Sequence, residues 1–160
     1  MVLSDIVSVI MVGMLGLGVI WAFWGMFRDR KEPVGGLIYV ASPFTSPSKE
    51  VERARYQDVV DACARMFEDG FHVMSPIAHC YPMFERGNMP GDFEFWRAYN
   101  YAVLSRCEEL WVLTIDGWKD SKGVQGEIEF ARKRGIPIGY VICDVGGVWE
   151  LSDEDGRRTA

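Results

Sequence analysis

Apolar and polar positions change in blocks along the chain. Four short apolar runs have the length and composition of β-strands: residues 37–41, 71–75, 110–115 and 137–143. Helical spacing of apolar side chains marks three further segments: residues 50–69, residues 93–106 and the segment that begins at Val124. The pattern therefore predicts strands and helices in alternation.

Alternation of this kind is typical of a three-layer α/β domain of Rossmann-like or flavodoxin-like type, with a mostly parallel sheet of four to five strands. Right-handed crossovers would gather the loops that follow the strands at one edge of the sheet. Residues 76–91 predict a long connection, and a loop of that length is a candidate lid over a ligand. Residues 144–150 would add a turn or a short edge strand, and the polar residues 151–160 a disordered tail.

The N-terminal segment is of a different kind. Residues 6–27 form a run of 22 residues without a charge, enough to cross a hydrocarbon core about 30 Å thick. A cleaved signal peptide fits less well, because residues 1–5 carry no positive side chain and no small-x-small cleavage site follows. Basic residues open the flank and linker at 28–36, so the positive-inside rule leaves residues 1–5 on the extracytoplasmic side and the domain that follows the linker in the cytoplasm. We expect a single-pass membrane protein, held in the lipid bilayer by residues 6–27, with a domain over residues 37–150.

Composition excludes one class of partner. The chain of 160 residues has room for one domain plus an appendage, and it carries a net charge of −6 with a pI near 4.9. This balance predicts no basic surface for a nucleic-acid polymer. A small phosphorylated ligand needs only a local pocket.

The cysteines and histidines predict neither disulfides nor a metal site. Four cysteines lie far apart and are interpreted as reduced thiols packed in a core: Cys63, Cys80, Cys107 and Cys143. His72, His79 and Cys80 lack a further ligand at suitable spacing, so no zinc site is expected.

The candidate site begins with the segment from residue 109 to residue 131, which runs from a strand through a polar loop into a helix. This order places Ser121, nearby backbone N–H groups and Glu127 near the carboxyl end of a strand, where open α/β sheets bind ligands. By position alone, a glutamate in the first turns of a helix is more often a surface residue that compensates the helix dipole. The spacing of its neighbours is what favours a site.

The motif Ser121-x-Gly123-Val124-x-x-Glu127, with Ala131 four residues later, resembles the signature of the nucleoside 2-deoxyribosyltransferase-like superfamily. It is most similar to the branch that hydrolyses 2′-deoxynucleoside 5′-monophosphates, and to short domains of this superfamily from bacteriophages and bacteria. The resemblance covers residues 37–143 and implies that Glu127 is the nucleophile at the anomeric carbon. It also implies that Ser121 helps to hold a 5′-phosphate. Glu129 departs from the signature, which has glycine there.

The first predicted strand adds a second part of the same resemblance. Tyr39-Val-Ala-Ser-Pro-Phe44 is similar to the superfamily's opening strand, in which the tyrosine orients the catalytic glutamate. That role would fall on Tyr39, although Tyr39 taken alone is more readily interpreted as a buried strand aromatic whose hydroxyl has a partner. Ser42 replaces the usual glycine and offers a hydroxyl to a sugar or phosphate.

Asn100 interrupts the apolar face of the helix predicted at residues 93–106. A polar side chain that faces inward needs a partner, and a pocket is one place to find it. The resembled family has aspartate here, which is placed to engage the sugar or assist the leaving base. Asparagine supplies no proton by titration, so either Asp92 or Asp116 substitutes, or turnover is slow, or the domain binds without cleaving.

Together these residues predict an enzyme that cleaves the N-glycosidic bond of a 2′-deoxynucleoside or its 5′-monophosphate. The expected catalytic residues are Glu127, Tyr39 and Asp116. The expected substrate-binding residues are Ser42, Pro43, Phe44, Asp92, Asn100, Gly117, Trp118, Ser121 and Gly123. Water as acceptor gives a hydrolase and a second base gives a transferase, and neither needs a metal or an organic cofactor. Because a helix N-terminus favours negative charge, we expect Glu127 to be ionised.

Two other classes of function stay open. A membrane-tethered nucleotide sensor would use the same pocket without turnover, and a structural interaction domain would carry a degenerate pocket. The resemblance also implies a homo-oligomer, since members of this superfamily often complete each site with residues from a neighbouring subunit.

Overall fold

The computed structural model describes residues 35–143 and 149–154, which contain one five-stranded sheet. Its strands are β1 (Leu37–Ala41), β2 (His72–Met74), β3 (Glu109–Leu113), β4 (Ile138–Cys143) and β5 (Trp149–Ser152). The strand order is β2-β1-β3-β4-β5, with β5 antiparallel to β4 and the other pairs parallel. The prediction of an α/β fold with a mostly parallel sheet is confirmed.

Four helices connect these strands: α1 (Lys49–Glu68), α2 (Pro76–Arg86), α3 (Phe93–Leu104) and α4 (Lys122–Arg134). Each begins at a side-chain oxygen that accepts a hydrogen bond from a backbone N–H three residues later, supplied by Ser48, Ser75, Asp92 and Ser121. Gly135 ends α4 in the left-handed conformation, with φ of 68°, which glycine adopts without strain. Local capping signals therefore set most of the helix boundaries.

Strand pleating divides the core between the two faces of the sheet. On β1, Ile38 and Val40 pack in one cluster with α1, whereas Tyr39 and Ala41 pack in the other cluster with α3 and α4. β3 alternates in the same way. Tyr39 thus lies beneath α4, on the face of the sheet that carries Glu127.

The prediction of a long irregular connection at residues 76–91 is wrong over most of that range, because residues 76–86 form α2. Ser75 caps this helix and Pro76 occupies its first turn, a combination that starts helices. Pro82 lies inside α2, where it removes one backbone donor, and this residue made the segment read as irregular. Burial of Pro76 and Cys80 in the domain offsets that loss. Part of α2 lines the cavity described below, and irregular backbone remains in this segment only at residues 87–91.

The predicted disordered tail also begins too early. Leu151 and Ser152 belong to β5 and pair with Val141 and Tyr140 of β4. The Ser152 hydroxyl, which is buried, donates a hydrogen bond to the Tyr140 carbonyl at 3.2 Å. Apolar and polar residues alternate at positions 149–152 (Trp, Glu, Leu and Ser), which is a strand pattern. The predicted turn or edge strand ended at residue 150 and so left out Leu151 and Ser152. Residues 155–160 lie outside the described part.

The membrane prediction concerns residues that the structure does not describe. Residues 1–34, which include the predicted span at 6–27, lie outside the described ranges. Within residues 35–143 and 149–154, no helix combines the length and apolarity that crossing a bilayer requires. Three cysteines are described with their side chains, and the prediction that they are buried is confirmed for Cys63, Cys80 and Cys107.

Gly126 lets α3 and α4 approach closely. A Cβ placed on Gly126 would lie 2.8 Å from Phe93 Cζ and 3.1 Å from the Tyr101 hydroxyl oxygen, closer than packed atoms allow. The Tyr101 hydroxyl donates a hydrogen bond to the Gly126 carbonyl at 3.1 Å, which fixes the same contact. This close packing brings Asn100 of α3 within reach of Glu127 on α4.

We expect Gly126→Ala to lower the free energy of unfolding by about 1–3 kcal/mol, because the added methyl forces the Phe93 ring and α3 away from α4. Gly123→Ala is the matched control, since its Cβ would meet Phe93 at 3.5 Å, an ordinary contact. That variant gains up to about 1 kcal/mol of helix propensity. Chemical denaturation followed by circular dichroism measures both, and equal effects would contradict the close-packing explanation.

Candidate active site

Glu127 is a buried carboxylate held by two side chains from other elements. It lies in the second turn of α4 and is 4% exposed. The hydroxyl of Tyr39 on β1 donates a hydrogen bond to Glu127 Oε1 at 2.6 Å. Asn100 Nδ2 on α3 donates to the same oxygen at 2.9 Å. The structure thus brings together Glu127 and Tyr39, two of the three expected catalytic residues, with Asn100, which was expected to bind substrate.

The two hydrogen bonds leave the carboxylate asymmetric. Both end on Oε1, and within residues 35–143 and 149–154 no hydrogen bond reaches Oε2. Because Glu127 also lines a cavity, Oε2 is the oxygen available to a ligand. A carboxylate anchored through one oxygen is oriented to act through the other.

Burial decides the charge of Glu127. Desolvation raises its pKa from 4.5 to about 7, and the hydrogen bonds from Tyr39 and Asn100 oppose this rise. The expectation that the helix N-terminus keeps Glu127 ionised is therefore wrong at neutral pH, where both forms are populated. The dipole effect falls off within the first turn, and Glu127 lies in the second. The pKa of Tyr39 is raised by burial and by the Glu127 carboxylate, so its phenol remains a donor.

The cavity beside Glu127 has a volume of about 90 Å³. A single water needs roughly 10–15 Å³ by this measure, so the cavity holds a group the size of several waters. Three sets of residues form most of its wall. The loop after β1 contributes Ser42, Phe44 and Thr45, α2 contributes Pro76, Ile77, Cys80, Tyr81 and Phe84, and the starts of α3 and α4 contribute Asp92, Phe93, Trp96, Asn100, Ser121 and Gly123.

One side of the cavity is aromatic. The Phe44 ring meets Tyr81 edge-on with centroids 5.5 Å apart and meets Phe84 at 6.0 Å. Trp96 closes another part of the wall, with its indole N–H donated to the Pro90 carbonyl at 2.8 Å. A cavity whose wall contains both an aromatic surface and a carboxylate suits a ligand that is flat and apolar at one end and polar at the other.

Two polar atoms in the wall have no hydrogen-bond partner among the described residues: Ser42 Oγ and Asn100 Oδ1. Their side chains are 8% and 7% exposed. A buried polar atom without a partner costs about 1–3 kcal/mol. A bound ligand with suitable hydroxyl or amide groups would remove that cost.

Residues 36–142 match the model of a protein family described as a domain of unknown function, DUF1937. The chain belongs to the DUF1937 family. The matched range includes β1, α3 and α4, and therefore all three residues of the Glu127 cluster. Among curated proteins, none matches the chain significantly.

Part of the predicted site lies elsewhere in the DUF1937 domain. Asp116, Gly117 and Trp118 are absent from the cavity wall, and Asp116 is exposed. The Trp118 ring packs against Tyr140, with centroids 5.5 Å apart. Asp116 therefore does not face the cavity as predicted. Pro43 is fully buried next to Ser42 but also lies outside the wall.

Arg55 is a residue of the site region that sequence reasoning missed. Its Nη1 donates to the carbonyls of Phe44 at 3.3 Å and Thr45 at 3.0 Å, and its Nη2 donates to the Asp116 carbonyl at 3.1 Å. The guanidinium thus ties the loop after β1 to the loop after β3. No local signal marks this role, because all three acceptors are backbone carbonyls from distant segments.

The residues of α2 were missed for a different reason. Ile77, Cys80, Tyr81 and Phe84 line the cavity at a spacing of three and four residues, which is helical. That periodicity was the signal that could have found them. Within the described ranges no group of three His, Cys, Asp or Glu side chains is placed to hold a metal ion.

The pKa of Glu127 predicts a pH-dependent stability. Because the pKa is raised on folding, the folded state retains a proton that the unfolded state has lost between about pH 4.5 and pH 7. This stabilising contribution is complete below the unfolded pKa and is lost as the pH rises through 7. We expect the wild type to lose up to about 3 kcal/mol relative to Glu127→Gln between acidic and alkaline pH.

Denaturation of both proteins across that range provides the measurement, and other titrating groups cancel in the difference. Glu129→Gln is the control on the same helix, since Glu129 is exposed and paired with Lys133 at 2.7 Å. A difference between wild type and Glu127→Gln that does not change with pH would contradict the assignment.

Proposed function

We propose that this DUF1937 domain cleaves the N-glycosidic bond of a nucleoside or its 5′-monophosphate, with Glu127 as the nucleophile. The observation that carries the proposal is a buried carboxylate anchored by Tyr39 and Asn100 through Oε1 and lining a cavity. The sequence resemblance supplies the reaction class, and the enzymes that the chain resembles act on substrates with 2′-deoxyribose as the sugar. The strand order supports the location, because the carboxyl end of β1 lines the cavity and the direction in which strands are added to the sheet reverses between β1 and β3.

Cleavage at an anomeric carbon passes through a state with oxocarbenium character, which a carboxylate beneath C1′ stabilises. Glu127 Oε2 forms a bond to C1′ as the bond from C1′ to the base nitrogen breaks, and the base leaves with that electron pair. Water then attacks C1′, the bond to Oε2 breaks, and Glu127 returns as a carboxylate. The products are the base, which gains one proton, and the free sugar, which gains a hydroxyl.

The departing base needs a proton, and Asn100 does not supply one. Asp92 is the remaining carboxyl group in the cavity wall, at the N-cap of α3, where its Oδ1 accepts from the Phe95 N–H at 3.0 Å. Asp116, the other candidate, lies outside the wall. We therefore assign the proton transfer to Asp92 or to water beside it.

Two other parts of the cavity match the rest of a nucleotide. The aromatic side formed by Phe44, Tyr81 and Phe84 offers ring surfaces to a base. The start of α4 offers backbone N–H groups, and the Ser121 hydroxyl, which accepts from the Val124 N–H at 3.4 Å, lies in the wall with them. A helix N-terminus of this kind binds phosphate. Because no lysine or arginine is among the residues of the wall, the backbone N–H groups and the Ser121 hydroxyl would bind the phosphate without a basic side chain.

The second candidate function is a nucleotide sensor without turnover. Asn100 favours it, because an amide holds the carboxylate without titrating where the resembled enzymes have an acid. In either case we propose, on sequence alone, that residues 6–27 anchor the domain to a membrane with its C-terminal part in the cytoplasm. We also propose a homo-oligomer, on the resemblance alone.

Incubation of the full chain with deoxynucleosides and their 5′-monophosphates should release free base, which chromatography detects. We expect Glu127→Ala to lower the release by roughly 10³-fold or more, as removal of a nucleophile does. Glu129→Gln, two residues along the same helix and exposed, should leave it unchanged. Tight binding without release would support the sensor instead, and release that survives in Glu127→Ala would refute the nucleophile.

The pH profile of kcat/KM should rise through about pH 7, because the nucleophile must be ionised. Tyr39→Phe removes a hydrogen bond that lowers the pKa of Glu127, so the rise should move to higher pH. Measurement of base release from about pH 5 to pH 9 tests both expectations. A profile in Tyr39→Phe that keeps its midpoint would show that the phenol does not act on the carboxylate.

A further inference from the structure

Two buried polar atoms in the cavity wall remain unexplained by the reaction. Asn100 Oδ1 and Ser42 Oγ belong to side chains that are more than nine-tenths buried, and neither atom has a partner among the described residues. Both residues line the cavity that holds Glu127. They are also positions at which the chain departs from the pattern that it resembles, which has aspartate and glycine there.

The orientation of the Asn100 amide follows from its neighbour. Its Nδ2 donates to Glu127 Oε1 at 2.9 Å, and turning the amide over would set its oxygen against the carboxylate oxygen. Asn100 Oδ1 therefore faces the remaining direction as a pure acceptor, which an O–H or N–H group of a ligand satisfies. Ser42 Oγ both donates and accepts, so a hydroxyl is the ligand group that suits both atoms.

The position of the amide indicates which hydroxyl. Asn100 is bonded to the carboxylate that the proposed function places beneath C1′. The carbon next to C1′ is C2′, so its substituent is the one nearest to groups that flank the nucleophile. Hydrogen bonds to a hydroxyl at this carbon strengthen in the transition state of glycoside cleavage.

We infer that Asn100 Oδ1 and Ser42 Oγ bind the 2′-hydroxyl of the sugar, so that the preferred substrate carries ribose and not 2′-deoxyribose. This inference rests on the proposed function for the class of ligand and for the position of C1′. A deoxyribosyl ligand would leave the Asn100 acceptor unpaired. We expect the ribosyl form to be favoured roughly 10- to 100-fold, the range of one unpaired buried acceptor.

The test compares ribosyl and 2′-deoxyribosyl pairs of the same base, adenine, guanine, cytosine and uracil, each with and without a 5′-phosphate. Calorimetry on the full chain gives the dissociation constants, and chromatography gives the rate of base release. The expected result is tighter binding and faster release for the ribosyl member of at least one pair. Equal constants, or a preference for the deoxyribosyl member, would overturn the inference.

Ser42→Ala gives the second measurement. Removal of its hydroxyl should reduce the ratio of ribosyl to deoxyribosyl binding at least several-fold, and a ratio does not depend on how much protein is folded. Ser105→Ala is the matched control, because this exposed hydroxyl at the C-terminal end of α3 donates to the Ala102 carbonyl and lies outside the cavity wall. An unchanged ratio in Ser42→Ala would remove Ser42 from the assignment.

The two proposals fail in different ways. Preferential binding of ribosyl ligands with no base release would contradict the cleavage reaction and support 2′-hydroxyl recognition. Release from deoxyribosyl substrates alone would support the reaction and overturn the recognition. Binding of neither member of any pair would overturn both.

Discussion

The structure depends on the burial of one carboxylate. Glu127 lies 4% exposed among apolar side chains, where its charged form is unfavourable, and it is tolerated there because Tyr39 and Asn100 donate to it. The same two donors fix the direction in which the other oxygen points. Stability therefore favours the protonated form of Glu127, whereas the candidate chemistry requires the ionised form. With a pKa of about 7, both forms are populated near neutral pH.

The surrounding architecture serves that arrangement. β1 lies between β2 and β3 in the sheet and presents the Tyr39 hydroxyl to the α4 face, while Gly126 allows α3 to approach α4 closely enough for Asn100 to reach Glu127. Arg55 joins the two loops at the carboxyl ends of β1 and β3 through their carbonyls. Since the contacts come from four separate elements, the geometry belongs to the whole domain.

Features that depend on the local pattern of residues could be predicted from the sequence. Features that depend on the balance between a local preference and tertiary packing could not. The α/β alternation followed from apolar periodicity. The pairing of Tyr39 with Glu127 could be suggested only by motif resemblance, because no local rule links residues 88 positions apart. The helix α2 was not predicted because it contains Pro82. A proline inside a helix lowers its stability, and here the burial of neighbouring residues offsets that loss. The charge of Glu127 was misjudged because desolvation, which depends on tertiary packing, outweighs the helix dipole.

The wide separation of Tyr39 and Glu127 has a consequence for biosynthesis. The phenol belongs to the first strand, whereas its acceptor lies 88 residues later and the supporting amide 27 residues before that acceptor. A nascent polypeptide that has emerged from the ribosome only as far as α3 contains the phenol and the amide but not the carboxylate that accepts from both. The Glu127 cluster can therefore form only after α4 has been translated.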